Sequence, residues 1–395
     1  MKVALVCTEK LPVPPVKGGA IQLYIDGVLP YLSNKHDLTV FGIEDPSLPG
    51  REAGPYAEFV RLPAGSTTEY LSEIARALES TPSDIVHVFN RPKWVPALNH
   101  ASPESTWLLN VHNEMFNSGK ISRTDAENCI ALVRGIATVS DFIKRSITAL
   151  YPEAASKCRV VYSGVDTLLY RPAWESEQAA ARRREVRSRL GLEDPWVLLF
   201  VGRLTDKKGA HIVLKAMHEI RRLHPRIALV VVGSRWYGGN TSDDYVRYLD
   251  REAAKLGKSV VFTGFVPPSE VPAYYAAADA FVCASQWTEP LSRTIYEAMA
   301  SGLPVITTSR GGNAEIIRGT GAGLIVDDYT NPGEFAHHVS YLYSNPAHAE
   351  RMGRTGRQLA EGWYGWERVA ADLDEMYRWA APAKRPGRAA VGITV

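Results

Sequence analysis

The chain has 395 residues, enough for two domains of ordinary size. Its 45% hydrophobic and 22% charged content is that of a soluble globular protein. A formal net charge of +2 argues against a protein built mainly to hold nucleic acid, and no run approaches the ~20 apolar residues of a membrane-spanning helix.

Residues 1–7 are apolar but too short for the core of a signal peptide, and Thr8-Glu9-Lys10 ends the run, so it reads as a first strand. From there, short Val/Ile/Leu-rich runs alternate with longer amphipathic ones. Strands are predicted at residues 3–7, 38–43, 59–62, 85–89, 107–111, 135–139 and 159–162. In the second half they are predicted at 196–201, 227–232, 260–263, 280–284, 305–308 and 323–326. Many are continuously apolar rather than alternating, as expected when helices cover both faces of a parallel sheet. The pattern predicts an α/β chain of two successive doubly wound, Rossmann-like domains.

Lys17-Gly18-Gly19-Ala20 follows the first strand and opens a helix over residues 21–32. Paired glycines before a helix permit close backbone approach to an anion, although a tight strand-to-helix turn explains them equally well. Neither Gly-x-Gly-x-x-Gly nor Gly-x4-Gly-Lys-[Ser/Thr] is present, which removes the main support for dinucleotide and P-loop readings. Asn110-Val-His112-Asn-Glu114 ends an apolar strand, where a histidine would face an interdomain cleft. The first domain is placed at residues 1–170. A linker at 171–194 carries Arg182, Arg183, Arg184, Arg187 and Arg189, diluted by Glu175, Glu177 and Glu185. It reads as a solvated helix rather than a phosphate or membrane patch.

The second domain is placed at 195–364. Phe200-Val-Gly-Arg203-Leu-Thr-Asp-Lys-Lys208-Gly follows its first strand, so Arg203 and Lys208 would project at the sheet edge where ligands bind in such folds. An arginine fork plus a lysine point charge suits a diphosphate. Gly233-Ser-Arg235-Trp236 ends the next strand, where a cation and an aromatic suit a nucleotide or an ordinary surface loop. Gly311-Gly312-Asn-Ala-Glu315 reads as a helix start with Glu315 capping its first turn. A last helix is predicted over 365–380, packing back on the first domain. The tail 381–395 has a linker's composition and is expected to be disordered. Cys7, Cys129, Cys158 and Cys283 lack metal-ligand spacing and read as buried free thiols in a reducing, cytoplasmic compartment, with peripheral membrane contact left open.

The most informative stretch is Glu289-Pro-Leu291-Ser292-Arg293-Thr-Ile-Tyr-Glu297. Eight residues are about two and a quarter helical turns, so the two carboxylates would not share one helix face. Glu289 is placed in the loop feeding a helix and Glu297 one or two turns in. Acid, turn, helix N-terminus and second acid suit a polyhydroxylated, phosphorylated ligand. The bland alternative is a pair of solvated helix-face acids.

This stretch, with the Gly202-Arg-Leu…Lys-Lys-Gly209 run, resembles the retaining nucleotide-sugar glycosyltransferases of GT-B architecture and their Glu-x7-Glu signature. The resemblance covers nearly the whole chain. It implies two Rossmann-like domains facing a cleft, the first binding acceptor and the second donor. It implies that Glu297 holds the ribose hydroxyls and Glu289 the sugar hydroxyls, while Arg203 and Lys208 stabilise the leaving diphosphate. Gly18 and Gly19 would face the donor across the cleft, His112 would contact its sugar, and Leu291, Ser292 and Arg293 would line the donor site. No metal is expected, because the two cations do that work and no Asp-x-Asp stands at a strand end.

The family commonly has glycine where Ser292 stands and an aliphatic residue where Arg293 stands. The Ser292 N–H is expected to remain available to ligand. Arg293 adds a cation at the diphosphate or toward the acceptor. Glu-Pro-Leu-Ser-Arg, with the Gly-Ser-Arg-Trp segment, is similar to members associated with bacterial spore coats. The implied function is metal-independent, retaining transfer of a sugar from a nucleotide-diphosphate sugar to an acceptor that the sequence does not identify. A sugar-nucleotide epimerase on the same fold and a non-catalytic spore-coat protein are the alternatives, and the oligomeric state stays open.

Overall fold

The protein is described by a computed structural model over residues 1–235 and 242–381. Trp236 and the tail beyond Ala381 lie outside the described residues.

Eight strands build the first sheet: β1 (Lys2–Val6), β2 (Asp37–Ile43), β3 (Arg51–Ala53), β4 (Glu58–Leu62), β5 (Ile85–Phe89), β6 (Thr106–Val111), β7 (Gly135–Thr138) and β8 (Cys158–Val160). Their order is β3-β4-β2-β1-β5-β6-β7-β8. All pairs are parallel except β3 with β4. Six strands build the second: β9 (Trp196–Val201), β10 (Ile227–Val232), β11 (Val260–Gly264), β12 (Ala280–Cys283), β13 (Val305–Thr308) and β14 (Gly323–Val326). Their order is β11-β10-β9-β12-β13-β14, parallel throughout.

Helices on both faces explain the continuous apolar runs. Ala4 and Val6 enter one buried layer of the first sheet, and Val3 and Leu5 enter the opposite one. Val197 and Leu199 of β9 separate from Leu198 and Phe200 in the same way. The side-chain period of two therefore feeds two cores, so both faces must be apolar.

Strand β3 was not expected from the sequence. Arg51, Glu52 and Ala53 are all exposed, so no apolar run marks them. The strand exists because its backbone pairs antiparallel with β4, and its charges blunt the sheet edge.

The basic helix Glu177–Leu190 is tied to the second sheet rather than left as a cationic surface. Arg183 and Arg187 both reach Asp279, at 2.5 and 2.6 Å, and Arg187 also donates to the Ala277 carbonyl. The helix Trp366–Ala380 returns to the first sheet. Trp366 lies so close to Gly27 that a Cβ there would meet its ring at 2.3 Å. Farther along, Asp374 pairs with His36 at 3.0 Å and Lys35 at 2.8 Å, and Tyr377 hydrogen-bonds His87 at 2.9 Å. All four cysteines are free and buried. Burial pushes the Cys7 and Cys129 thiols up to about 12 and Cys158 up to about 11, so they are inert. No helix among the described residues is long and apolar enough to cross a membrane.

Candidate functional site

A cleft of ≈ 1230 Å³ separates the C-terminal edges of the two sheets. Loops after β1, β5 and β6 line one wall, and loops after β9, β11 and β12 line the other. Gly18, Gly19 and His112 stand on the first wall. Arg203, Lys208, Glu289, Leu291, Ser292, Arg293 and Glu297 stand on the second. Every site residue expected from the sequence therefore borders the same space.

Glu289 sits in the loop between β12 and the helix Arg293–Ala300, and it is 7% exposed. Three donors converge on its Oε2: Lys208 Nζ at 2.6 Å, Trp287 Nε1 at 2.7 Å and Ser285 Oγ at 3.1 Å. Burial alone would raise this carboxyl. The Lys208 ammonium and the other donors outweigh it and hold the group below its ordinary value. The same pairing overcomes burial at Lys208 and lifts its pKa. Both groups are therefore charged at neutral pH.

Glu297 lies one turn into that helix and is also 7% exposed. Its Oε2 accepts from Tyr275 Oη at 2.9 Å, while Arg293 Nη2 stands 3.7 Å from Oε1. Here burial prevails over Arg293 and Tyr275, and the carboxyl is raised above its ordinary value. Arg293 is turned to the segment that follows β8. It donates to Ser163 Oγ and the Gly164 carbonyl, both at 3.2 Å, and its guanidinium lies 5.1 Å from the Trp366 ring centre. The Ser292 N–H, expected to stay available, is taken: it donates to Asn313 Oδ1 at 2.9 Å.

On the opposite wall Gly18 and Gly19 have φ of 83° and 107°, which only glycine adopts without strain. The following helix Ala20–Leu32 has no side-chain cap, so its first N–H groups face the cleft unsatisfied by one. His112 packs edge-on against Tyr24, 4.9 Å between ring centres, with Nε2 buried and without a partner. Burial, aided by Arg293, pushes it down to about 3, so the imidazole is neutral. Its backbone N–H donates to Asn90 Oδ1 at 3.0 Å. Asn90 has φ of 55°, the sole non-glycine among the described residues in that region.

The helix expected after Gly312 does not form; residues 311–320 run as consecutive turns. Glu315 instead caps a helix of the first wall. It accepts from the Asp141 and Phe142 N–H groups at 2.8 and 2.7 Å and from Tyr162 Oη at 3.0 Å. The start of Asp141–Leu150 offered the carboxylate two free N–H groups, which a turn of its own did not. Sequence reasoning also missed Ser285, Trp287, Tyr275 and Asn90. The run Ser285, Trp287, Glu289 beyond a strand end was a usable signal, since it sets two side-chain donors within four residues of the acid they bond. Nothing local marks Tyr275, which comes from another helix.

A family model described as glycosyl transferases group 1 matches residues 182–359. Spore coat protein SA of Bacillus subtilis (strain 168) is 45% identical over 377 residues, spanning 95% of this chain and 99% of the relative. A GDP-mannose-dependent alpha-(1-6)-phosphatidylinositol monomannoside mannosyltransferase of Mycolicibacterium smegmatis is 35% identical over 221 residues, spanning 54% of each chain. The crystal structure of Anabaena Alr3699/HepE in complex with UDP-glucose superposes with a TM-score of 0.75 at 18% identity, spanning 96% of this chain and 100% of the other.

Proposed function

The chain belongs to the group 1 glycosyl transferases, and on that premise we propose that it moves a sugar, with retention, from a nucleoside-diphosphate sugar to an acceptor. The observation that carries this reading is the Lys208–Glu289 pair at the mouth of the second sheet. An ammonium has three donors, and the bond to Glu289 uses one. The others serve the diphosphate, with Arg203 from the same loop. As the bond to the sugar breaks, negative charge grows on the diphosphate, and fixed cations stabilise it without reorganising. No metal is needed for that task. Glu289 uses Oε2 on its three protein donors and Oε1 on sugar hydroxyls. Glu297 accepts from ribose hydroxyls. The first N–H groups after Gly19 approach the phosphate from the other wall. His112, being neutral, offers the donor sugar a hydrogen bond rather than a proton.

The Anabaena structure is a complex with UDP-glucose and the mannosyltransferase is named as GDP-mannose-dependent, so both sugar nucleotides head the trial. A ligand that binds only the folded chain stabilises it by about 2.7 kcal/mol at 100 Kd, and thermal shift against UDP, GDP and ADP selects the base. Turnover of the matching sugar nucleotide should survive EDTA. Loss with EDTA and recovery with magnesium or manganese would refute the cation argument. A second reading, a coat component without turnover, rests on the name of the 45% identical relative, which also directs the search for the acceptor to the spore surface. Release of nucleoside diphosphate from any sugar nucleotide excludes it.

A further inference from the structure

The turns at residues 311–315 touch both walls of the cleft at once. On the second wall, Gly312 N–H donates to the Glu289 carbonyl at 2.8 Å, and Asn313 Oδ1 accepts from Ser292 N–H at 2.9 Å. Gly311 has φ of 61°, and a Cβ on it would lie 2.0 Å from the Glu289 carbonyl oxygen. The loop is thus seated directly on the backbone of the Glu289–Ser292 segment. A Cβ on Gly312 would meet Pro290 O at 2.1 Å and the Ser140 side chain at 3.0 Å, so the same residue is wedged between the walls.

Three residues on, Glu315 crosses to the first wall. Its carboxylate takes the first two N–H groups of Asp141–Leu150, and Ser140 Oγ takes that of Ile143 at 3.2 Å. Tyr162, just before the Ser163 and Gly164 that Arg293 contacts, supplies a third donor to Glu315. Three donors on one carboxylate join the start of that helix to the turns seated on the loop that carries Glu289.

We infer that Glu315 is a positioning residue for sugar transfer: it sets how the first wall, with Gly19 and His112, is presented to Glu289. The inference rests on the nucleotide-sugar reading above. Glu315 touches neither nucleotide nor sugar in that reading, so its loss should separate binding from turnover. Glu315→Gln keeps the shape, but one of its oxygens becomes a donor facing donors.

The test measures UDP affinity and stoichiometry by calorimetry, and UDP release from UDP-glucose in water, for wild type, Glu315→Gln, Tyr162→Phe and the double variant. Glu315→Gln should bind UDP within twofold of wild type at unchanged stoichiometry, while kcat per binding site falls about tenfold. Tyr162→Phe should cost less, and the double variant should lose less than the product of the two, since both remove the same contact. Partial unfolding would instead lower stoichiometry and turnover together, leaving kcat per site intact, and would overturn the inference. So would a Glu315→Gln kcat within twofold of wild type, or multiplicative losses. If wild type neither binds UDP nor turns over UDP-glucose, the nucleotide reading with this donor falls first and the inference falls with it.

Discussion

The two carboxylates of Glu289 and Glu297 are exposed to the same 7%, yet their surroundings shift them in opposite directions. Glu289 has an ammonium and two neutral donors on one oxygen, and its carboxyl is held low. Glu297 has one phenol at 2.9 Å and a guanidinium no closer than 3.7 Å, and its carboxyl is raised. Burial acts on both; what differs is whether a cation stands in contact. The first niche gathers three protein donors on Oε2 of its carboxylate, while the second supplies one donor in hydrogen-bond contact, Tyr275.

The largest effect should come from Glu289→Gln. Transfer should collapse by a hundredfold or more, since an acceptor is lost at the reacting sugar and the buried Lys208 loses its counter-charge. A residual rate within tenfold of wild type would remove Glu289 from the chemistry. Next come the cations. Lys208→Ala and Arg203→Ala should each lower kcat/KM at least tenfold, about 1.4 kcal/mol or more of transition-state stabilisation. They should differ in stability. Lys208→Ala strips a buried carboxylate of its partner, a break that costs about 3–5 kcal/mol in comparable pairs, and Glu289→Ala in the same chain should restore part of that loss. Equal melting temperatures for Lys208→Ala and wild type would show that the pair is solvated and that the contrast between the niches is false.

The smallest effect is a pH dependence of stability. A carboxyl raised in the folded state favours folding most below its ordinary value of 4.5, and that contribution is lost as pH rises through the raised value. Glu297→Gln should therefore melt at or above the wild-type temperature at pH 7.5, with the gap closing by pH 4. For Glu289 the sign reverses: its contribution is present above 4.5 and is lost as pH falls through the lowered value. Glu289→Gln should be the less stable protein at pH 7.5 and approach wild type in acid. Parallel pH profiles for the two variants would dissolve the distinction.

Much of this was legible beforehand because it is local. The run Trp196–Val201 is apolar at every position and became β9 over those same residues. Arg203, Lys208 and Glu289 follow strand ends, so a doubly wound fold had to bring them to one edge. What was not legible depends on distant pairs. Lys208 and Glu289 are 81 residues apart, and Glu315 and Asp141 are 174 apart. Separate readings of the two signatures therefore missed that they form one ion pair. Glu315 looked like a local cap because an acid after two glycines fits that role in any sequence. Strand β3 was invisible because an edge strand with exposed side chains needs only its backbone to pair.

The central claim is that Glu289 and Glu297 divide the donor between sugar and ribose. Calorimetric titration of UDP, or of whichever nucleoside diphosphate the thermal-shift trial selects in its place, into wild type, Glu289→Gln and Glu297→Gln tests it most directly. A buried mismatched hydrogen bond costs about 1–3 kcal/mol, so Glu297→Gln should weaken UDP roughly five- to hundredfold. Glu289→Gln should leave UDP affinity nearly unchanged, because free UDP carries no sugar. If Glu289→Gln weakens UDP as much as Glu297→Gln does, the division is contradicted.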